Sequence, residues 1–208
     1  MKPRTRRKIP RRIPAQARSK ETVAIILRAA AQVLVEAAPD QVSTNLIAKV
    51  AGISVGSLYQ YFPDKGAIFA ALVAERVERT GRIIGGRALA LLGTPLPDAV
   101  RGLVRAQFES YQDAPELGLA LFEQITRSPA LQRLLIASYD SIIALVTMCL
   151  RAYTKELRVK DLDRASYLLV HAVDGMLFAT VLLRREYLHD ERFISETADM
   201  ALRYLVDS

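Results

Sequence analysis

The sequence predicts an all-α protein of about nine helices: a three-helix amino-terminal head carrying a helix-turn-helix, then a helical bundle. Three observations lead there. Apolar residues recur at three- and four-residue steps through most of the chain. No segment alternates apolar and polar residues over a useful length, and no internal repeat is evident. The gaps between periodic segments carry helix punctuation, Ser or Asp before a start and Gly or Pro after a stop.

The first stretch, residues 1–18, reads as a disordered basic arm. Residues 1–20 hold Lys2, Arg4, Arg6, Arg7, Lys8, Arg11, Arg12, Arg18 and Lys20 with no acid. The whole chain carries +7, so the remainder is slightly acidic and the basic excess is local. Pro3, Pro10 and Pro14 prevent a continuous helix through most of it. Beside a helix-turn-helix such an arm is expected to contact the DNA backbone or minor groove through Arg4, Arg6, Arg7, Lys8, Arg11 and Arg12. The plainer alternative is a solvated tail.

The head is expected over residues 19–66. Its first helix runs from about Ser19 to Ala38, with Val23, Ile26, Leu27, Ala30, Val33, Leu34 and Ala37 forming an apolar stripe. Ser43 then caps a short helix containing Leu46, Ile47 and Val50, which Gly52 ends by taking a left-handed backbone. Ser54 caps the next helix, expected from Val55 to about Phe62, with Leu58 and Phe62 inward. Small residues Gly56 and Ser57 in its first turn allow close approach to base edges, and Val55 suits a thymine methyl. Tyr59, Tyr61 and Lys65 suit phosphates. The second helix of such a pair lies in a major groove while the first braces it.

This stretch resembles the TetR family of bacterial transcriptional regulators. The matching residues are Ser43, Ile47-Ala48, Ala51-Gly52-Ile53-Ser54, Gly56-Ser57-Leu58-Tyr59, Tyr61-Phe62 and Asp64-Lys65, within roughly residues 20–75. The resemblance implies a DNA-binding head, a helical ligand-binding body, a homodimer, and repression released by a small molecule. It places DNA contacts around Ser43, Thr44, Asn45, Val55, Gly56, Ser57, Tyr59, Gln60, Tyr61 and Lys65. Gly66 departs from a commonly acidic position, and Val55 from a frequently polar one, so the operator is not transferable from relatives.

The body is expected over residues 67–208, for ligand binding and dimerisation. A long helix from Asp64 to about Leu92 connects it to the head, with Ile68, Phe69, Leu72, Val73 and Val77 expected to face the head. Gly81, Gly85 and Gly86 interrupt it as a kink, a hinge, a close helix contact or a loop. Helices follow from the Gly93–Pro97 break to about Asp113, from Pro115 to Thr126, and from Ser128-Pro129 to about Thr154. The last two start at Asp161 and Asp190 and run to about Arg185 and Val206. On the helix after Asp161, Ala165, Leu169, Ala172, Gly175, Met176, Ala179 and Leu183 form a seam expected to pair with a second copy.

Phe108, Tyr111, Phe122, Tyr139, Met148, His171, Asp174 and Phe178 are candidates for lining a ligand pocket, with Gln107, Gln124, Ser138 and Ser141 as orienting groups. Few cations lie in these segments, so a hydrophobic effector is expected. His171 and Asp174, three apart, read as a polar anchor, half a catalytic or metal site, or a satisfied pair at the dimer contact.

Two ligands do not make a metal site, and no nucleophile has an evident supporting base. Neither an enzyme nor a cofactor is expected. The sole cysteine, Cys149, excludes an intrachain disulfide. The basic start lacks a following apolar signal core, and no apolar run approaches a membrane span. The expectation is a cytoplasmic protein, on the nucleoid when bound to near-palindromic duplex DNA. Its rivals are an effector-independent DNA-binding dimer, an activator, and an enzyme or carrier using the helical body.

Overall fold

The computed structural model describes residues 15–207, with side chains from residue 19. The arm cations Arg4, Arg6, Arg7, Lys8, Arg11 and Arg12 lie outside the described residues. Among the described residues there are nine α-helices, one 3-10 turn and no strand. The helices are α1 (Ala15–Glu36), α2 (Thr44–Ala51), α3 (Val55–Tyr59), α4 (Lys65–Ala90), α5 (Leu96–Gln112), α6 (Pro115–Thr126), α7 (Pro129–Arg151), α8 (Leu162–Leu183) and α9 (Glu191–Leu205). The 3-10 turn, Arg185–His189, separates the last two. The chain forms two compact units, dividing inside α4 between Ile68 and Phe69.

Local chemistry sets the helix ends. Ser43, Ser54, Asp64, Ser128, Asp161 and Asp190 each accept a first-turn backbone N–H through the side chain. Gly52 at φ 68° closes α2, donating to the Ala48 and Lys49 carbonyls. The expected reading helix is shorter than its sequence pattern, five residues rather than eight. Beyond Tyr59 the chain tightens, with the Tyr61 and Phe62 N–H groups both reaching the Leu58 carbonyl at 3.0 Å.

In the first unit α1 packs on α2, and α2 on α3. Ile26 and Ala30 from α1, Ile47 from α2, Leu58 from α3 and Ile68 from α4 are fully withdrawn from solvent. In the second unit α5 pairs with α9, α7 with α8, and α6 packs on both members of the latter pair. Leu96, Val104 and Phe108 share a core with Val173, Leu177 and Val181 and with Ile194, Ala198 and Leu205.

Three expectations about the body need correction. Gly81, Gly85 and Gly86 do not break α4, and a Cβ at any of them would meet open space, which removes both the loop and the close-contact readings. The close approach is at Gly102, where a Cβ would collide with the Leu91 side chain. Val73 and Val77 line a cavity of the second unit. And α7 and α8 do reach spanning length and apolarity, with mean hydropathy 1.6 and 1.7, although polar residues interrupt both. They pack against each other within the unit.

The α4 glycines give a direct test. Since nothing crowds them, Gly85→Ala with Gly86→Ala is expected to raise the body's unfolding free energy by up to about 1 kcal/mol per site, through helix propensity. Chemical denaturation checks this, and an unchanged or lowered midpoint contradicts it.

Candidate nucleic-acid interface and body cavity

The head presents one polar face built from both short helices. Asn45, Gly56, Tyr59 and Gln60 are exposed, while Thr44, Val55, Ser57 and Tyr61 are half-buried. Leu58 points the other way and is sealed, so the five-residue α3 turns its remaining side chains outward. The Thr44 and Tyr59 hydroxyls lie 3.1 Å apart, which ties the start of α2 to the end of α3. The Ser54 and Ser57 hydroxyls are 2.8 Å apart, so Ser57 is already engaged in its own helix cap. The Lys65 ammonium donates to the Val42 carbonyl at 2.9 Å. It therefore holds the loop before α2 in addition to any phosphate it meets. Sequence patterning did not reveal these three side-chain ties.

The second unit holds a partly open cavity of about 310 Å³ lined by residues of α4 to α8. Tyr111, Phe122, Tyr139, His171, Asp174 and Phe178 all line it. Phe108 and Met148 do not. Phe108 is fully buried in the core, edge-on to Phe193 at 6.0 Å, and Met148 lies 55 % exposed on the outside of α7. Of the orienting candidates, Gln107 and Ser138 line the cavity. Ser141 is exposed and donates to the Ala137 carbonyl. A smaller apolar cavity of about 80 Å³ lies beside Ile84, Val104, Val146 and Leu169.

Asp174 is the polar centre of the larger cavity. It is 9 % exposed and sits on α8. Its Oδ1 accepts from Gln107 Nε2 at 2.9 Å and from the Tyr111 hydroxyl at 2.7 Å, both from α5. Its Oδ2 accepts from the Tyr139 hydroxyl of α7. Burial, then the adjacent Asp174 charge, pushes both tyrosine hydroxyls far above the usual tyrosine range, so they remain donors. His171 lies between the Tyr139 and Tyr167 rings, at 4.7 and 4.4 Å. Arg76 of α4 also lines the cavity and lies over the Tyr111 ring, 5.7 Å from its centre. Sequence reading passed it over. The available signal was its register, three after Val73 and one before Val77 on an inward stripe.

The expected dimer seam divides. Ala172, Gly175, Ala179 and Leu183 are exposed, Leu183 at 71 %. Ala165 is fully buried within the subunit and does not belong to that surface. Leu169 faces the smaller cavity, and Met176 is half-buried near Thr197. Tyr167, Leu168, Leu182 and Met200 are exposed apolar residues that the seam pattern omitted. Cys149 is half-buried, and burial raises its thiol pKa, so it has no activated thiolate.

Comparison with known proteins agrees with this arrangement. Residues 26–72 match the family described as bacterial regulatory proteins, tetR family, and residues 95–205, more than half of the chain, match the tetracyclin repressor-like C-terminal domain. Over 40 residues the chain is 50% identical to the nucleoid occlusion factor SlmA of Haemophilus ducreyi and of Actinobacillus pleuropneumoniae, which is 19% of this chain and 19% of each relative. Among solved structures, GusR of Salmonella enterica is 25% identical with a TM-score of 0.71, covering 89% of this chain and 95% of that one. A tetR-family regulatory protein from Rhodococcus RHA1 is 18% identical with a TM-score of 0.74, covering 90% and 98%, and shows the shared fold. The chain belongs to the TetR family of bacterial regulatory proteins, whose members are DNA-binding transcriptional regulators.

Proposed function

We propose that this protein is a homodimeric, sequence-specific repressor that a small molecule releases from its operator. Val55, Gly56 and Ser57 approach base edges in the major groove, while Thr44, Asn45, Tyr59, Gln60, Tyr61 and Lys65 meet the backbone around it. The exposed side of α8, with Ala172, Gly175, Ala179 and Leu183, pairs with its copy. Two heads then address half-sites about 34–36 Å apart. The basic arm adds phosphate contacts and salt dependence. The protein works in the cytoplasm, on the nucleoid.

The observation that favours ligand release over a constitutive DNA-binding dimer is the cavity of about 310 Å³ with its buried carboxylate and half-buried guanidinium. A body evolved only to hold two heads together has no need of such a space. Because α4 contributes Val73, Arg76, Val77 and Thr80 to the cavity wall and begins at Lys65, a ligand acts on a helix that continues into the head. The ligand releases DNA only if it binds the released state more tightly than the DNA-bound state.

Selection of bound sequences from random duplex DNA, followed by release assays with small molecules, tests this. A near-palindromic site whose affinity falls when a ligand fills the cavity is the expected outcome. Failure to enrich any site refutes the DNA-binding half. A ligand that fills the cavity at saturation yet leaves operator affinity unchanged refutes the release half.

A further inference from the structure

We propose that the effector is an amphipathic monocarboxylate, whose apolar, partly aromatic-contacting body fills the cavity while its carboxylate is held by the Arg76 guanidinium. This rests on the ligand-release reading above and names the chemistry of that ligand. It replaces the expectation of a purely hydrophobic effector.

The basis is hydrogen-bonding capacity that no protein group meets. Asp174 is satisfied, because Gln107, Tyr111 and Tyr139 donate to its two oxygens. Arg76 is not. A guanidinium has five N–H donors and no acceptor. Among the described residues this one makes no hydrogen bond or ion pair, and its neighbour is the face of the Tyr111 ring. Several other arginines of the unit have carboxylate partners, among them Arg79 with Asp113, Arg87 with Glu109 and Arg185 with Glu116. Asp113 and Glu116, the acids flanking the start of α6, are thus already committed.

Two further observations point the same way. Gly118 of α6 lets the guanidinium lie directly against that helix at the cavity wall, since a Cβ there would come within 2.9 Å of Arg76 Nη2. Removal from water lowers the Arg76 pKa, and Arg79 adds repulsion. The nearby tyrosine and carboxylates do not fully offset this. A charge in that position gains from an anion brought to it.

The same count discriminates between ligand classes. A cation would meet a carboxylate whose oxygens are already engaged, and would feel the repulsion of Arg76. A neutral molecule would leave the guanidinium donors to water. A dianion would bring excess negative charge beside Asp174. One planar carboxylate matches one guanidinium fork in charge and geometry. Behind it Phe122, Phe178, Leu119, Leu135 and Ile142 offer an apolar bed, the two phenyl rings 4.6 Å apart.

The test is calorimetric titration of the full chain with decanoate and 2-naphthoate, their uncharged counterparts 1-decanol and 2-naphthamide, and decyltrimethylammonium. At least one carboxylate is expected to bind about tenfold or more tightly than its uncharged counterpart, and the ammonium to bind least. In Arg76→Met the carboxylate is expected to fall to the level of its counterpart, whose own affinity stays within about twofold, while Arg76→Lys lies between. Preference of the wild-type protein for the neutral or cationic probes, or no carboxylate bound at about 1 mM, overturns the proposal without needing any variant to fold. So does unchanged carboxylate affinity in Arg76→Met. Release of operator DNA by 1-decanol alone sinks this proposal and leaves ligand release standing. A carboxylate bound through Arg76 that does not weaken operator binding leaves the binding chemistry of the cavity standing but refutes release, and with it the carboxylate's role as effector.

Discussion

Leu58→Ala is expected to abolish operator binding while leaving the body's unfolding transition in place. Leu58 is fully buried and is the sole buried side chain of α3. A five-residue helix has no stability of its own in water, because nucleation costs more than so few hydrogen bonds return. Its orientation therefore depends on Leu58, on the Ser54 cap that accepts the Ser57 N–H, and on the hydroxyl contact between Thr44 and Tyr59. Truncating a buried leucine to alanine costs about 2–5 kcal/mol. That is a large part of the few kcal/mol that a small three-helix unit possesses. The second unit has its own core, from Leu96 to Leu205, which this change does not touch. Calorimetry is expected to show the body's transition unmoved and a head transition weakened or lost. Gel-shift titration is expected to show at least about a hundredfold loss of affinity, the size expected when binding loses some 3 kcal/mol. Full operator binding by Leu58→Ala would mean that α3 is positioned by something other than its packing.

Asp174→Ala is the second large effect, expected in the body. It removes the acceptor from three donors at once, Gln107, Tyr111 and Tyr139, which reach it from α5 and α7. Hydrogen bonds to a buried charge contribute about 1.5–3 kcal/mol each, less whatever water restores in the cavity. The expected loss is about 3 kcal/mol or more in chemical denaturation, with DNA affinity of the folded fraction unchanged. Asp174→Asn keeps an amide oxygen as acceptor and is expected to lose less. Equal stabilities for wild type and Asp174→Ala would show that these three bonds contribute nothing net. The same cluster sets a pH dependence. Tyr111 and Tyr139 have folded-state pKa values raised above the ordinary value near 10. Their favourable contribution is therefore complete below that pH. It is lost as pH rises beyond it, since the unfolded state then gives up protons that the folded state retains. A denaturation series across pH 8 to about 11 is expected to show falling stability at the alkaline end, and less fall in Asp174→Ala, where the largest charge against ionisation is gone.

How far each of these features can be read from the sequence depends on the range of the interaction behind it. The caps at Ser43, Ser54, Asp64, Ser128, Asp161 and Asp190 involve residues two or three apart, so residue type and spacing were enough to place the helix starts. Gly52 ends α2 by a backbone angle that only glycine adopts freely. The order and type of the elements, and the head with its outward-facing Gly56, follow from such local terms. The end of α3 did not. Its apolar pair Leu58 and Phe62 continued the helical spacing, but the chain tightens after Tyr59 before reaching Pro63.

In the body, the facing of each helix was beyond local reach. α8 is apolar nearly all round, so periodicity alone does not say which side meets a neighbour. The small-residue seam therefore included Ala165, which the subunit buries, and omitted Leu168 and Leu182, which it leaves outside. Likewise Phe108 and Tyr111, one turn apart on α5, point respectively into the core and into the cavity. The sequence by itself determined an all-helical chain, the helix-turn-helix, and the residue types on its outer face. Only the tertiary structure decided that Arg76, Gln107, Tyr111, Tyr139 and Asp174, drawn from four helices, share one cavity. The reason is that contacts spanning 35 to 67 residues are set by how whole helices pack, and no periodicity within a single helix encodes them.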